Sequence, residues 1–298
     1  MNKFLVTLIV SLIFSMPFYA QENDAPTQDN TEQSKEVKKV DKPVRSPWNS
    51  GLLMGGKTSV VPGKGSFRFD LAHHFGPMNN GFSDFFGIYA DGANIRMGLN
   101  YVVIKNLQLG VGLTKFNITT DFNAKYTIFE QTRKNSMPIS ITFYGNIGID
   151  GSSSESFGTE YEIIDRLSYF SQLIVGRKFG KYVSIQASGS FTHINSLPDS
   201  VNHDVVGVSF GVKVRLSSTV SIISNNDFPL YIQGISEYEG IKAAKPNIQF
   251  GVEIITTSHA FQIYLGTSNF ILPQNVFVRN QNKFDAEGIR IGFILTKL

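Results

Sequence analysis

Apolar residues recur at every second position in segments of about ten residues from Ser66 to the C-terminus. In one such segment the apolar positions are Leu107, Leu109, Val111 and Leu113, and the positions between them are Gln108, Gly110, Gly112 and Thr114. Because successive side chains of a strand point to opposite faces, each segment has one apolar face and one polar face. This period predicts transmembrane β-strands of an all-β, antiparallel barrel.

About twelve segments carry this pattern, an even number as bacterial barrels of a single chain require. Ten is the alternative count, because the segments at 123–131 and 219–225 alternate less clearly. The connections between segments alternate in length, and the long ones lie near 75–92, 117–122, 149–165, 194–204, 226–246 and 270–287. Barrels have short periplasmic turns and long extracellular loops, so both termini are predicted to be periplasmic. A soluble sandwich has no reason to keep this alternation.

The N-terminal region is predicted to have three parts. Residues 1–20 carry Lys3 before an apolar run too short to span a bilayer, which is typical of a signal peptide. Residues 21–47 are polar and have no aromatic side chain, which indicates a disordered periplasmic tail. The barrel is assigned to 48–298, and its start, LLMGGKTSVVPGKG, is interpreted as a turn-rich lead-in because it lacks the spacing of a phosphate loop.

Composition narrows the classes of function. The 27 Gly, 25 Phe and 11 Tyr favour strands and turns, and a formal net charge of +3 gives no reason to expect a nucleic-acid partner. Without cysteine the chain can form neither a disulfide nor a thiolate metal site, and it cannot carry a lipidated N-terminal Cys. We therefore expect no cofactor and no metal, and location in the cell outer membrane through the fold itself.

The outer face of the predicted barrel contacts outer-membrane lipid. Val111 lies on this face, so Val111→Arg is expected to destabilise the inserted barrel by about 2–4 kcal/mol, and Gly112→Ser on the lumen side is expected to be milder. The last segment, GIRIGFILTKL, is predicted to be the strand that the barrel insertion machinery recognises. It ends on Lys297 and Leu298, where such signals usually have an aromatic residue.

Charged residues on the opposite face are the candidate lining of the lumen. They are Arg68, Asp70, His74, Arg96, Lys125, Lys213, Arg215, Glu253 and Arg290. The six bases against two acids predict that any solute that passes is preferably anionic, with Arg96 and Arg290 as the main determinants. The alternative is a lumen whose polar groups pair with one another, since small barrels are filled by side chains.

Histidine and serine residues offer weaker chemistry. His73 and His74 are adjacent on a strand and therefore point to opposite faces, so they cannot chelate one ion. His193, Asn195 and Ser196 contain the residue types of an outer-membrane phospholipase, which makes a hydrolase the alternative function. The same residues are also ordinary loop composition beside a proline.

The segments FDLAHHFGPMNNGF, DFFGIYADGANIRMGLNY, NLQLGVGLTKF and AKYTIFEQT, between residues 67 and 132, resemble a family of uncharacterised outer-membrane β-barrel proteins of Bacteroidota. The resemblance implies the fold and the location and assigns no activity. The expected function is a non-enzymatic barrel. It is either a narrow passage for small polar or anionic solutes, or a structural and binding component whose long loops contact an unknown protein partner.

Overall fold

The structure is a computed structural model that describes residues 41–198, 201–232, 235 and 243–298. The predicted signal peptide, 1–20, and most of the predicted tail, 21–40, lie outside the described residues. Among the residues that the structure describes, no helix is long and apolar enough to cross a membrane.

Twelve antiparallel strands form a closed barrel, which confirms the predicted fold and the count of twelve. Each strand pairs with its neighbours in the chain, and the last strand pairs with the first to close the sheet. The strands are β3 (Phe67–Pro77), β4 (Asn94–Ile104), β5 (Leu107–Thr114), β6 (Thr119–Phe129), β7 (Ser140–Ile149), β8 (Leu167–Phe179), β9 (Val183–Ile194), β10 (Asp204–Arg215), β11 (Val220–Leu230), β12 (Asn247–Ile255), β13 (His259–Gly266) and β14 (Arg290–Lys297).

The period of two places apolar side chains outside and polar side chains inside. On β5 and β6 the outer residues Leu109, Leu113 and Phe122 are about half exposed, as expected of side chains that meet lipid. The two least regular segments, 123–131 and 219–225, are the full strands β6 and β11. Both strands are longer than predicted, since β6 also contains residues 119–122 and β11 also contains residues 226–230, which were predicted to lie in loops.

The connections follow the predicted alternation with two exceptions. The connection near 117–122 was predicted to be long, but only residues 115–118 separate β5 from β6. The prediction failed because β6 begins at Thr119 and takes up the remaining residues. On the other side, residues 130–139 form the longest turn of the end that carries the short turns. Both described ends of the barrel sheet, Phe67 and Lys297, lie at this end, which we take as periplasmic.

Two segments outside the barrel sheet complete the fold. A hairpin of two short strands, β1 (Leu52–Leu53) and β2 (Gly56–Lys57), precedes the barrel, with a tight turn at Met54 and Gly55. A helix, α1 (Pro273–Arg279), lies in the connection between β13 and β14. Both segments are packed inside the barrel, and they define the candidate site.

Candidate functional site: the occupied lumen

The segment Trp48–Val61, here called the plug, lies inside the barrel. Its side chains Trp48, Leu52, Leu53 and Met54 are buried against wall residues of β3, β11, β13 and β14. The sequence pattern of this segment predicts a turn-rich lead-in to the barrel. The predicted turn is present, but the segment lies inside the barrel and not before it. The local pattern does not show this location, because the apolar residues of the plug contact their partners only once the barrel has closed.

Wall glutamines hold the plug backbone. Gln262 accepts a hydrogen bond from the Met54 N–H at 2.9 Å and donates to the Leu52 carbonyl at 3.0 Å. Gln186 accepts from the Ser59 N–H at 3.1 Å and donates to the Lys57 carbonyl at 2.7 Å. A primary amide can donate and accept at once, so one side chain satisfies two backbone groups that a strand neighbour would otherwise satisfy.

Shorter polar side chains on β6 and β7 also bind the plug, and together with the glutamines they form the seam between plug and wall. The Thr127 hydroxyl accepts from the Val61 N–H at 3.0 Å, and the Thr142 hydroxyl donates to the Ser59 carbonyl at 2.7 Å. The Lys125 ammonium donates to the Thr58 hydroxyl at 3.1 Å. The plug is therefore held to the wall along both its edges by hydrogen bonds.

Residues 41–47 anchor the plug at the periplasmic end, contrary to the prediction that they belong to a disordered tail. Pro43 pairs with Thr132 in an isolated bridge, and Lys178 Nζ donates to the Arg45 carbonyl at 2.7 Å. Partial desolvation acts to raise the pKa of Asp41, but hydrogen bonds from the Thr132 and Ser136 side chains and from nearby backbone N–H groups outweigh it and lower that pKa to about 2. Composition alone does not reveal this anchor, because its partners are backbone and side-chain groups that lie far away in the chain.

The helix α1, here called the gate helix, closes the extracellular half of the lumen. Phe277 stacks on the wall residue Phe170 with ring centroids 5.8 Å apart. Both rings and Val278 belong to a buried apolar cluster with Ile174 of β8. Gln274 of the helix donates a hydrogen bond to Asn146 of β7. The loop 270–287, predicted to be extracellular, thus folds back into the barrel because its helix has an apolar face to bury.

Little space remains between the plug and the gate helix. The cavity bounded by Met54 and Lys57 of the plug and by Phe277 of the helix has room for about two water molecules. Gln249 faces this cavity, and its Oε1 is buried without a hydrogen-bond partner among the described residues. This cavity therefore admits water and nothing the size of an organic solute.

The structure places most of the predicted lumen residues inside the barrel. Asp70, His74, Arg96, Lys125, Lys213 and Glu253 are buried, and Arg68 is half-buried. Two of the predicted residues lie at the ends of the barrel. Arg215 ends β10 and is exposed, because its guanidinium donates to the carbonyls of Ser217 and Ser218 in the turn; this corrects its assignment to the lumen. Arg290 lies at the extracellular rim and donates to the Gly288 carbonyl.

Two buried acids of the lumen were missed. Asp121 binds Arg96 through two hydrogen bonds of 2.8 and 2.7 Å, and Asp227 accepts from Asn247 at 2.9 Å. Both residues fell in segments assigned to loops, although the alternation of β6 runs back to Thr119. The predicted ratio of six bases to two acids is therefore wrong.

The remaining charges of the lumen are not paired with one another. Among the described residues the lumen has one ion pair, Arg96–Asp121. Asp70 accepts hydrogen bonds from Asn100 and Thr296, and Glu253 accepts from Asn49 of the plug. The Lys213 ammonium faces the Trp48 ring at 5.8 Å. Most pairs in the lumen are hydrogen bonds between polar side chains, such as Asn100 with Asp70, Gln262 with Glu253 and Thr127 with Thr142, so the alternative of a lumen whose polar groups pair with one another describes much of this arrangement.

The histidines and the hydrolase candidates lie in different places. His74 is buried and within 2.7 Å of the Tyr264 hydroxyl, whereas His73 contacts Phe75. His193 binds Asp204 at 2.8 Å on the outer face. Asn195 donates to the Ile164 carbonyl, and Ser196 lines a pocket with Arg166 and Arg279. The structure therefore does not arrange these three residues as one catalytic site.

Solved structures that align with this chain include three of low sequence identity. They are the KdgM porin (10% identity, 78% of this chain and 98% of that chain covered, TM-score 0.45), an outer membrane channel from Pseudomonas putida F1 (11%, 80% and 97%, TM-score 0.49) and LpxR from Salmonella typhimurium (11%, 78% and 100%, TM-score 0.38). At these values the likeness concerns the barrel alone. A comparison with curated proteins finds no match.

The family profile described as a membrane bound beta barrel domain (DUF5777) matches residues 48–298. The match begins at Trp48, so it includes the plug as well as all twelve strands of the barrel. The chain belongs to this family of uncharacterised membrane-bound β-barrels, and it is a protein of the outer membrane.

Proposed function

We propose that the protein is a non-enzymatic outer-membrane passage for small polar or anionic solutes, closed at rest by the plug and by the gate helix. The observation that carries the proposal is the chemistry of the seam between plug and wall. It consists of hydrogen bonds between plug backbone groups and the side chains of Gln186, Gln262, Thr127 and Thr142, and water can replace each of them when the plug moves.

The lumen charges support a polar cargo. A structural barrel needs no ionic groups in its lumen, since burying a charge without a partner is costly. Here Lys57, Lys125 and Lys213 are kept in the lumen without an acid within ion-pair distance among the described residues. Such groups are useful where a solute or water contacts them during passage.

A cross-link between plug and wall tests the proposal. The chain has no native cysteine, so Val61→Cys and Thr127→Cys introduce a single thiol pair where the Val61 nitrogen lies 3.0 Å from the Thr127 hydroxyl. A cleavable bifunctional thiol reagent should suppress single-channel openings in a planar bilayer, and cleavage should restore them. The two single-cysteine variants, treated alike, are the controls. Equal conductance with and without the cross-link would contradict a moving plug, and a protein that never conducts would contradict passage.

A second candidate function, binding of a partner protein, is favoured by the connection 78–93. It presents Phe82 and Tyr89, each about four-fifths exposed, on a turn fixed by hydrogen bonds from Gly87 and Asn80 to Asp84. Exposed aromatic side chains on a rigid turn are typical of interaction sites. Co-purification with the Phe82→Ser, Tyr89→Ser variant compared with the unmodified protein tests this function independently of conductance.

A further inference from the structure

Positive charge is concentrated where the plug meets β3, β4 and β6. The Lys57 ammonium interacts electrostatically with Arg96, Asp70 and Asp121, and Lys125 interacts with Arg68, Lys57 and Asp70. Among the described residues, this group contains four bases and two acids, which leaves a formal excess of two positive charges. Lys125 of the wall is buried and Lys57 of the plug is half-buried inside the barrel, so water screens their charges less well than at the protein surface.

Neither acid of the group neutralises a lysine. Asp121 accepts hydrogen bonds from Nε and Nη2 of Arg96, and Asp70 accepts from the amide of Asn100 and the hydroxyl of Thr296. The Lys57 ammonium lies 5.1 Å from the centroid of the Tyr144 ring and makes no hydrogen bond among the described residues. Buried charges are normally paired, so a base excess of this kind creates a strong preference for an added anion.

A small cavity lies next to these groups. It is bounded by Lys57 of the plug, by Arg96 and Tyr144 of the wall and by Ile271 and Pro273 at the start of the gate helix. It has room for about one particle the size of water. The space is of the order of a monatomic anion and far smaller than an oxyanion such as phosphate.

We propose that the cavity between Lys57, Arg96 and Tyr144 binds a single halide-sized anion, chloride under physiological conditions, which joins the plug, the wall and the gate helix. The anion adds a negative charge next to the uncompensated Lys57 ammonium and at the same time contacts the second cation of the cavity wall, Arg96. Because plug, wall and gate all border the cavity, the anion stabilises the closed state. This site does not depend on the proposed passage, since it concerns the resting barrel.

Anomalous diffraction from crystals of the wild-type protein soaked in bromide tests the site directly. We expect a peak between Lys57 and Arg96, and Lys57→Met should remove it. Lys42→Met changes an exposed lysine of the anchor and should leave the peak in place. Bromide peaks elsewhere in the crystal, with none in this cavity, would overturn the proposal. A Lys57 side chain that is neutral and binds no anion would overturn it as well.

A solution measurement covers the case in which Lys57→Met does not fold. Limited proteolysis of the wild-type plug in detergent should be slower in chloride than in gluconate at equal ionic strength. The difference should be about tenfold when chloride is in about tenfold excess over its dissociation constant. Equal rates in the two salts would overturn the proposal, whether or not the barrel conducts.

Discussion

The plug and the gate helix fill the two halves of one lumen by different chemistry. The plug has only two residues in each of its strands, so most of its backbone groups need partners from the wall. The wall supplies Gln186, Gln262, Thr127 and Thr142 where the plug lies. The gate helix makes part of its backbone hydrogen bonds within its own turns, and the wall beside it presents Phe170, Ile174 and Val205. The polar wall residues therefore follow the backbone needs of the plug, whereas apolar wall residues pack against both segments.

The largest effect is expected when the plug loses its backbone partners. Gln186→Leu together with Gln262→Leu should weaken plug docking by about 4–6 kcal/mol, because four buried backbone groups lose their partners at about 1 kcal/mol or more each. The rate of proteolysis within 48–61 measures the loss. Gln172→Leu is the matched control, since this glutamine donates to Ser188 of the wall and not to the plug. An unchanged cleavage rate in the double variant would mean that the apolar cluster alone holds the plug.

The gate should respond to loss of volume and not to loss of hydrogen bonds. Phe277→Ala removes a buried ring stacked on Phe170 and should destabilise the closed gate by about 3–5 kcal/mol. Solvent labelling of a cysteine placed at Val276 measures the opening, and proteolysis of the plug should not change. If Phe277→Ala released the plug as readily as the gate, the two closures would not be separate.

Gly112→Ser probes the polar network that reaches the gate. An added β-carbon at Gly112 would overlap Nη2 of Arg96 and Oδ1 of Asp121. The change should cost about 1–3 kcal/mol by overpacking, and not the mild effect that strand parity alone predicts. Urea unfolding compares it with Thr192→Val, which replaces a buried hydroxyl that has no partner among the described residues and should be nearly neutral. Equal midpoints for the two variants would contradict this close packing.

Protonation of the periplasmic anchor should have the smallest effect. Because the pKa of Asp41 is lowered from its ordinary 3.8 to about 2, its contribution is complete above pH 3.8 and is lost as the pH falls towards about 2. Asp41→Asn should mimic that loss at neutral pH and modestly speed trypsin cleavage after Arg45, which is exposed in the anchor. Glu160→Gln, in an extracellular loop, is the control. An unchanged rate of cleavage after Arg45 in Asp41→Asn would exclude Asp41 as an anchor.

The sequence predicted the wall of the barrel far better than the plug and the gate helix inside it. The barrel, its twelve strands and most of its inward charges follow from the period of two, which is a local property of each strand. Plug and gate depend on contacts between residues far apart in the chain, such as Met54 with Gln262 and Phe277 with Phe170. Asp121 and Asp227 were within reach of the local pattern, and they were missed because β6 and β11 were drawn too short.

The conductance of the plug variant, Gln186→Leu with Gln262→Leu, and of the gate variant, Phe277→Ala, tests the proposed double closure most directly when each is measured alone and both are combined. If plug and gate are two barriers in series, neither Gln186→Leu with Gln262→Leu nor Phe277→Ala should open the pore alone, and the combined variant should conduct steadily. Circular dichroism and the heat-dependent gel mobility of the folded barrel show whether each variant is intact. A single variant that conducts as well as the combination would contradict two separate closures, and a folded combined variant that does not conduct would contradict the passage itself.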